Sequence, residues 1–151
     1  MNTETDSFEK ALFLTATDTI TGFVSKDKAK LDRAKKRASD KNYITALPSL
    51  SALKKRTRVP DMHKNLIRRS RRCTFIMPDK RSWRIIRDKI HLLLIERLGW
   101  SYTTSANLSG EEFDGSFAKN VADITIYPLE SPASSPSKIY RLGKKTLKRI
   151  R

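Results

Sequence analysis

The chain has 151 residues, 38% of them hydrophobic, which is enough for one folded domain with a sizeable core. Its 32 lysines and arginines against 16 acidic residues give a formal net charge of +16, which favours a polyanionic partner such as RNA, or an anionic substrate such as ATP. The single cysteine, Cys73, excludes an intramolecular disulfide, and the longest apolar run, residues 92–95, is far too short to cross a membrane.

In chain order, the spacing of apolar residues predicts strands mixed irregularly with helices. The predicted elements are a strand at 11–14, a helix at 26–36, a strand at 43–47, helices at 49–55 and 61–69, strands at 73–77 and 83–86, a helix between Asp88 and Gly99, and strands at 102–104, 124–127 and 139–142. We therefore expect an α/β (α+β) fold in which residues 1–151 form a single domain, with one mixed sheet partly covered by helices.

Two of the predicted helices have a stripe of side chains along one side that is expected to face the core. In the helix between Asp88 and Gly99 the stripe consists of Ile90, Leu93, Leu94 and Leu98. In the helix at 61–69, which Asp61 is expected to cap, it consists of Met62, Leu66 and either His63 or Ile67. The Ser/Pro-rich stretch at 128–136 is expected to be a loop able to act as a lid.

The most informative segment is Thr104-Ser105-Ala106-Asn107-Leu108-Ser109-Gly110, which directly follows a predicted strand. Its small hydroxyl and amide side chains are poor core residues, because buried polar atoms need partners. They suit a loop that binds phosphate or nucleotide, since small residues let the backbone approach a ligand and supply uncharged hydrogen bonds. An ordinary Ser/Asn/Gly turn is the alternative interpretation.

Two further segments lie upstream, Thr17-Asp18-Thr19-Ile20-Thr21-Gly22-Phe23 and Lys35-Lys36-Arg37-Ala38-Ser39-Asp40-Lys41. The first segment is typical of a turn whose threonines cap their own backbone. In the second, lysines at a helix end interact favourably with the helix dipole, which is the simple structural explanation for them. The functional alternative is that the planar guanidinium of Arg37 and the mobile ammonium groups of the lysines bind a triphosphate.

Together and in this order, TDTITGF, KKRASDK and TSANLSG resemble the YrdC-like threonylcarbamoyl-AMP synthase family. Its pattern has TDT-x-Y-G-L, K-x-R-x-x-x-K and T-S-A-N-x-S-G segments, and the resemblance extends over residues 12–142. The chain departs from the pattern at Ala16, Thr21 and Ala38, and Ser70-Arg71-Arg72 replaces a Pro-Gly-Pro turn. The resemblance implies a twisted mixed sheet around a positively charged concave cleft.

The resemblance also implies the ligands and the residues that bind them. The substrates would be ATP with Mg²⁺, L-threonine and bicarbonate, and the product would serve tRNA modification through partner proteins. Catalysis is assigned to Lys35 and Arg37, and nucleotide binding to Lys35, Arg37, Lys41, Ser105 and Asn107. Threonine binding is assigned to Thr17, Arg84, Thr104 and Ser137. Asn107 would share the magnesium shell, and Asp18 would hold a cation or, in the simpler interpretation, orient its turn.

Arg84 stands in an otherwise apolar predicted strand, where an unpaired guanidinium is costly. It should therefore face substrate in a cleft, or lie at a sheet edge and pair with a carboxylate such as Asp88. No Ser-His-Asp pattern, Walker loop or zinc motif is present in the sequence, so ATP would bind without a Walker loop.

A basic cluster at Arg68, Arg69, Arg71 and Arg72 predicts contact with the backbone of double-stranded RNA or tRNA. Arg71 and Arg72 are also candidates to reach the cleft. A non-catalytic, YciO-like RNA-binding protein is therefore the second hypothesis, and a basic accessory protein of the translation machinery is the third. The polar, acidic first ten residues are not a signal peptide, so we expect a cytoplasmic protein without membrane contacts.

Overall fold

The computed structural model describes residues 3–38, 42–108, 110–129 and 135–151, which form nine strands and six α-helices. The strands are β1 (Phe13–Thr15), β2 (Gly22–Ser25), β3 (Ile44–Leu47), β4 (Cys73–Ile76), β5 (Ser82–Ile85), β6 (Ser101–Ser105), β7 (Ile124–Thr125), β8 (Lys138–Leu142) and β9 (Leu147–Arg149). The helices are α1 (Thr3–Lys10), α2 (Lys28–Lys35), α3 (Leu50–Lys54), α4 (Lys64–Arg69), α5 (Lys89–Leu98) and α6 (Gly115–Val121).

The strands form one mixed sheet in the order β7-β1-β2-β6-β3-β5-β4-β8-β9. The pairs β1–β7, β3–β5 and β4–β8 are parallel, and the other neighbours are antiparallel. Helices cover both faces, so the predicted fold class, α/β (α+β) with a mixed sheet and flanking helices, is confirmed. No helix in the described parts of the chain is long and apolar enough to cross a membrane.

Alternation along the strands divides the core between the two faces of the sheet. On one face Phe13 and Val24, which are register partners, pack with α5 through Leu94 and Ile95. On the other face α2 and α6 cover one half of the sheet, where Phe23 is fully buried. Helices α3 and α4 cover the second half around Phe75, Trp83, Leu53 and Ile67.

The helices begin where polar side chains satisfy their free amide groups. Asp27 caps α2, Ser49 caps α3, Asp88 caps α5 and Asp114 caps α6, each by accepting from a backbone N–H of the first turn. The predicted cap at Asp61 is wrong, because Asp61 begins a 3₁₀ turn and the helix itself starts at Lys64.

The predicted stripe of α5 is also displaced around the helix. Its buried residues are His91, Leu94, Ile95 and Leu98, whereas Ile90 is 49% and Leu93 is 68% exposed. The error arises because the stripe was predicted from apolar residues alone. His91 can also be buried, because its Nδ1 accepts a hydrogen bond from the backbone N–H of Asp18. Met62, also predicted to face the core, is 59% exposed, whereas His63 and Ile67, which the prediction gave as alternatives, are both buried.

Strand β2 approaches β6 closely at Gly22, which pairs with Ser105. A Cβ atom on Gly22 would lie 2.7 Å from the carbonyl oxygen of Thr104 and 3.0 Å from a methyl group of Thr17. Because the nearer contact is backbone, a side chain at this position requires the two strands to separate. The small residue at position 22 therefore lets the turn after β1 lie against β6.

We expect Gly22→Ala to lower the free energy of unfolding by about 1–3 kcal/mol, the usual cost of overpacking. The matched control is Gly115→Ala in α6, where the nearest atom to an added Cβ lies at 3.8 Å and alanine favours the helix. Urea unfolding of both variants measures the difference. Equal stability of the two variants would contradict the close approach of β2 and β6.

Candidate functional site

A cavity of about 270 Å³ opens where the turn after β1, the chain after α2 and the strands β3, β5 and β6 converge. We call this cavity the cleft. Its lining residues are Thr19, Ile20, Arg37, Asn42, Tyr43, Ile44, Arg84, Thr103, Thr104, Ser105, Pro136, Ser137 and Arg151. Three guanidinium groups and no carboxylate are among these residues, so positive charge predominates along the lining of the cleft.

Lys35 joins two of the segments that the sequence singled out. Its side chain is 2% exposed, and its Nζ donates to the carbonyl oxygen of Ser105 (2.8 Å), to Ser105 Oγ (3.3 Å) and to Asn107 Oδ1 (3.2 Å). Burial, with a smaller effect of Arg37, lowers the pKa of Lys35 to about 8, which leaves most of the ammonium charged at pH 7. Lys35 and Asn107 lie behind the wall of the cleft, and Ser105 lies on it.

The end of α2 directs Arg37 into the cleft. Lys36 adopts a left-handed conformation (φ 49°), and the backbone N–H of Arg37 returns to the carbonyl of Asp32. The Arg37 guanidinium lies 5.0 Å from the ring centroid of Tyr43. Tyr43 is held in turn by its hydroxyl, which donates to Asp32 Oδ1 at 2.7 Å. Burial and Asp32 raise the pKa of Tyr43 to about 12, so this hydroxyl stays protonated at neutral pH.

Arg84 is 6% exposed and reaches the cleft from the centre of the sheet. Its Nη1 pairs with Asp18 Oδ1 (3.2 Å), its Nε and Nη2 donate to Thr74 Oγ1 (3.1 and 3.0 Å), and its Nη2 also donates to Ser137 Oγ (2.9 Å). The alternative of an edge-strand arginine paired with Asp88 is wrong, because β5 lies between β3 and β4. The Asp88 carboxylate caps α5 instead.

Asp18 orients the turn after β1 from beneath. It is 5% exposed, and its backbone N–H donates to His91 Nδ1 at 3.3 Å. Burial lowers the pKa of His91 to about 3, so the imidazole is neutral and its Nδ1 can accept. Burial also raises the pKa of the Asp18 carboxyl group against the opposing effect of Arg84. Its carboxylate accepts from the Arg84 guanidinium (3.2 Å), which favours the orienting role for Asp18.

The other sequence-predicted residues are distributed as follows. Thr104 and Ser137 line the cleft, whereas Thr17 is buried below it and binds Ile20 O and the backbone N–H of Thr19. Lys41 lies outside the described residues, as does part of the predicted lid at 128–136. The four arginines Arg68, Arg69, Arg71 and Arg72 are exposed, and none of them is among the residues that line the cleft.

The sequence pattern missed Arg151, which the register of β9 brings to the cleft. Its Nε donates to Ser137 O at 3.0 Å, and its backbone N–H pairs with Ile139 O. Nothing in the basic run 144–151 distinguishes this arginine, because β9 itself was not predicted. Tyr43 was also missed; its sequence signal is an aromatic residue at the start of a strand, a feature common to core residues.

The described residues superpose on known structures over nearly all of their length. Sua5 from P. abyssi (H234A/Y235A) matches with a TM-score of 0.85 at 19% identity, and the match covers 98% of this chain and 52% of that one. The chain has the YrdC-like fold of Sua5. The YrdC-like resemblance predicted from the sequence is thus confirmed at the level of the fold, and the chain spans about half of the length of Sua5.

Two smaller proteins share the YrdC-like fold. MTH1692 from Methanobacterium thermoautotrophicum matches with a TM-score of 0.74 at 19% identity, over 98% of this chain and 84% of that one. YciO from E. coli matches with a TM-score of 0.75 at 18% identity, over 98% of this chain and 86% of that one. No family model matches the chain, and a search of curated protein sequences found no match.

We expect Asp18→Asn to destabilise the protein by about 3–5 kcal/mol, because Arg84 would remain charged and buried without its counter-ion. The control is Asp6→Asn, which removes an ion pair with Lys10 (3.1 Å) at a carboxylate that is 61% exposed. Such an exposed pair contributes at most about 1 kcal/mol. Urea unfolding at pH 7 compares the two variants. Losses of similar size would mean that Arg84 does not depend on Asp18 for its charge balance.

Proposed function

We propose that the chain is an ATP-dependent L-threonylcarbamoyladenylate synthase that acts in tRNA threonylcarbamoyladenosine modification. The observation that carries the proposal is the convergence of Arg37, Arg84 and Arg151 on a cleft whose wall includes the Ser105 loop, held from behind by Lys35. The YrdC-like fold supports the same activity, and one of the matching structures is P. abyssi Sua5 complexed with L-threonine (TM-score 0.83, 20% identity, 95% of this chain).

The nucleotide would lie between Arg37 and the Ser105 loop. Arg37 supplies a planar fork for phosphate oxygens, and the hydroxyl groups of Thr104 and Ser105 supply uncharged hydrogen bonds. Lys35 holds this loop and adds a positive charge behind it. Mg²⁺ would arrive on the triphosphate with most of its water shell, in keeping with the lack of an acidic cage among the described residues. The oxygen of Asn107, assigned from the sequence to the magnesium shell, accepts from Lys35.

The amino acid would lie on the opposite side of the cleft, near Arg84, Ser137 and Arg151. Asp18, Thr74 and Ser137 fix the Arg84 guanidinium in one orientation, so little side-chain entropy would be lost on binding. The threonine carboxylate would bind this guanidinium in exchange for its hydrogen bond to Ser137 or the long one to Thr19 (3.5 Å). Thr19 lines this part of the cleft, whereas Thr17 supports the turn from below. The sequence assigned a contact with the substrate threonine to Thr17. We propose that Thr19 makes this contact instead.

The proposed reaction needs no covalent protein nucleophile. The threonine amine attacks bicarbonate, and loss of water gives the N-carboxylate. A carboxylate oxygen then attacks the α-phosphorus of ATP, and the bond from that phosphorus to the bridging β-oxygen breaks and releases pyrophosphate. Positioning and neutralisation of the departing negative charge are the protein's contributions, and arginines with a buried lysine can supply them.

The activity is tested by supplying purified protein with ATP, bicarbonate, threonine and Mg²⁺. We expect pyrophosphate release that stops when threonine is omitted. Serine should be a poorer substrate by a modest factor, because one methyl group contributes only about 1–3 kcal/mol to discrimination. The absence of threonine-dependent pyrophosphate over a wide range of protein concentration would reject the proposal.

We expect Arg37→Lys to reduce threonine-dependent pyrophosphate release by roughly a hundredfold, or about 3 kcal/mol, because an ammonium cannot replace two parallel hydrogen bonds. Arg33→Lys is the matched control, since Arg33 is exposed on the last turn of α2 and does not line the cleft. Initial rates and melting temperatures of both variants are compared. Equal rates for the two variants would identify the segment after α2 as a purely structural helix end.

A second candidate function, binding of double-stranded RNA or tRNA in the manner proposed for a YciO-like protein, is favoured by the charge of the surface. Four arginines at the end of α4 and in the turn before β4 are all exposed, namely Arg68, Arg69, Arg71 and Arg72, and the chain carries a net charge of +16. Such a surface suits the phosphate backbone rather than base edges. The two functions are compatible, because the arginine cluster lies apart from the cleft lining.

We expect a duplex RNA to bind at low ionic strength with weak sequence preference and to dissociate as salt is added. Replacing the four arginines by alanine should make the dependence of log K on log salt shallower by about 0.9 for each phosphate contact that is lost. Filter binding over a salt series gives this slope. An unchanged slope, or no binding at low salt, would show that the cluster serves only solubility.

A further inference from the structure

A second and larger cavity, of about 600 Å³, lies on the opposite face of the sheet from the cleft. Its floor consists of Thr45, Trp83 and Tyr102, which the strand register places side by side. Their neighbours along the strands, Ile44, Arg84 and Thr103, line the cleft. Since side chains alternate between the two faces of a sheet, the same three strands carry both cavities. We call the second cavity the aromatic groove.

Aromatic rings line one side of the groove. Trp100, the residue before β6, lies edge to face with Tyr102, with ring centroids 5.1 Å apart and planes at 84°. Tyr102 is followed by Tyr43 at a centroid distance of 6.2 Å. Trp100 and Tyr102 are only half-buried, so part of each ring remains accessible from the groove. The sequence suggested no such platform, because these rings are brought together only by strand pairing.

Positive charge surrounds these rings. The Arg56 guanidinium lies 5.1 Å from the centroid of Trp100, and Lys80 and Arg81 are exposed on the β4–β5 turn that forms the facing wall. The acidic residue in the lining is Asp79, whose carboxylate accepts from Thr57 Oγ1 (3.0 Å) and from the backbone N–H of Arg81 (2.9 Å). Asp79 therefore shapes the turn, and the balance of charge in the groove is positive.

We propose that the aromatic groove binds single-stranded nucleic acid. A base would stack on Trp100 in place of Arg56, and Arg56, Lys80 and Arg81 would meet the adjoining phosphates. Stacking needs an unpaired base, because the faces of bases in a duplex are covered by their neighbours. The groove combines aromatic rings with cations, whereas the exposed arginine cluster at the end of α4 and before β4 offers charge alone. The inference is independent of the adenylation reaction, whose proposed ligands lie on the other face of the sheet.

The probe is a labelled oligouridylate of about eight nucleotides, within the site sizes of single-strand binders, and the matching oligothymidylate tests for the 2′-hydroxyl. We expect saturable binding by anisotropy, together with quenching of the intrinsic fluorescence of the two tryptophans of the chain. Free uridine monophosphate should compete poorly, since it offers one phosphate. Binding without quenching, or competition by a duplex as strong as that by the single strand, would overturn the proposal.

Substitutions can distinguish binding in the aromatic groove from binding that depends only on the net charge of the chain. Trp100→Ala should weaken oligouridylate binding about tenfold, and Arg56→Ala/Arg81→Ala should weaken it and make the salt dependence shallower by about 1.4, or 0.7 for each phosphate contact with a single strand. The control is Arg68→Ala/Arg69→Ala, which removes the same charge from α4 and should leave oligouridylate binding within about twofold. The arginine pair Arg56 and Arg81 is exposed, so its loss tests the groove even if Trp100→Ala does not fold.

The result that supports the proposal is a weaker oligouridylate affinity in the groove variants alone. Equal losses in the two double variants would overturn it, since binding would then follow net charge. Unchanged affinity in Arg56→Ala/Arg81→Ala would also overturn it. Threonine-dependent pyrophosphate release, measured on the same variants, is expected to stay within about twofold of the unsubstituted protein, so this experiment fails or succeeds separately from the test of the adenylation activity.

Discussion

The buried ion pair between Asp18 and Arg84 is the interaction on which the cleft depends. It fastens the turn after β1 to a central strand, and the same guanidinium also binds Thr74 and Ser137, so four separate stretches of chain meet at one side chain. Removing two charges from water is costly, and a pair of this kind rarely adds net stability over well-packed apolar groups. Its presence is better explained by what it positions: an arginine of fixed orientation that lines the cleft.

A second buried cation, Lys35, supports the opposite wall in a different way. Two of its three hydrogen bonds end on Ser105, the last residue of β6, and the third ends on Asn107 in the loop that follows, so the end of α2 is joined to the end of β6 and its loop. The wall that faces the cleft then presents hydroxyl groups and a backbone, while the charge lies behind them. This arrangement resembles a preorganised electrostatic site, in which the donors are in position before charge develops.

Much of this architecture was predictable from the local sequence. The remaining parts could not be predicted, and the reason differs from one element to the next. Runs such as 73–77 predict strands because they are short and rich in apolar residues, and the order of the TDTITGF and TSANLSG segments indicated the fold. Strands β2 and β9 were missed because they are short and contain glycine or several basic residues. Neither the contact between Asp18 and Arg84 nor the contact between Arg151 and Ser137 was predicted, because both depend on pairing between distant strands.

Tyr43 belongs to the walls of both cavities, with Arg37 against its ring. An occupant of the groove that displaced this ring would also disturb the guanidinium beside it, and the proposed ligands of the two faces would then be coupled. Such coupling would be reciprocal, because each ligand would change the affinity of the other by the same factor. In a sheet only one residue thick, the two proposed sites would therefore communicate through a single side chain.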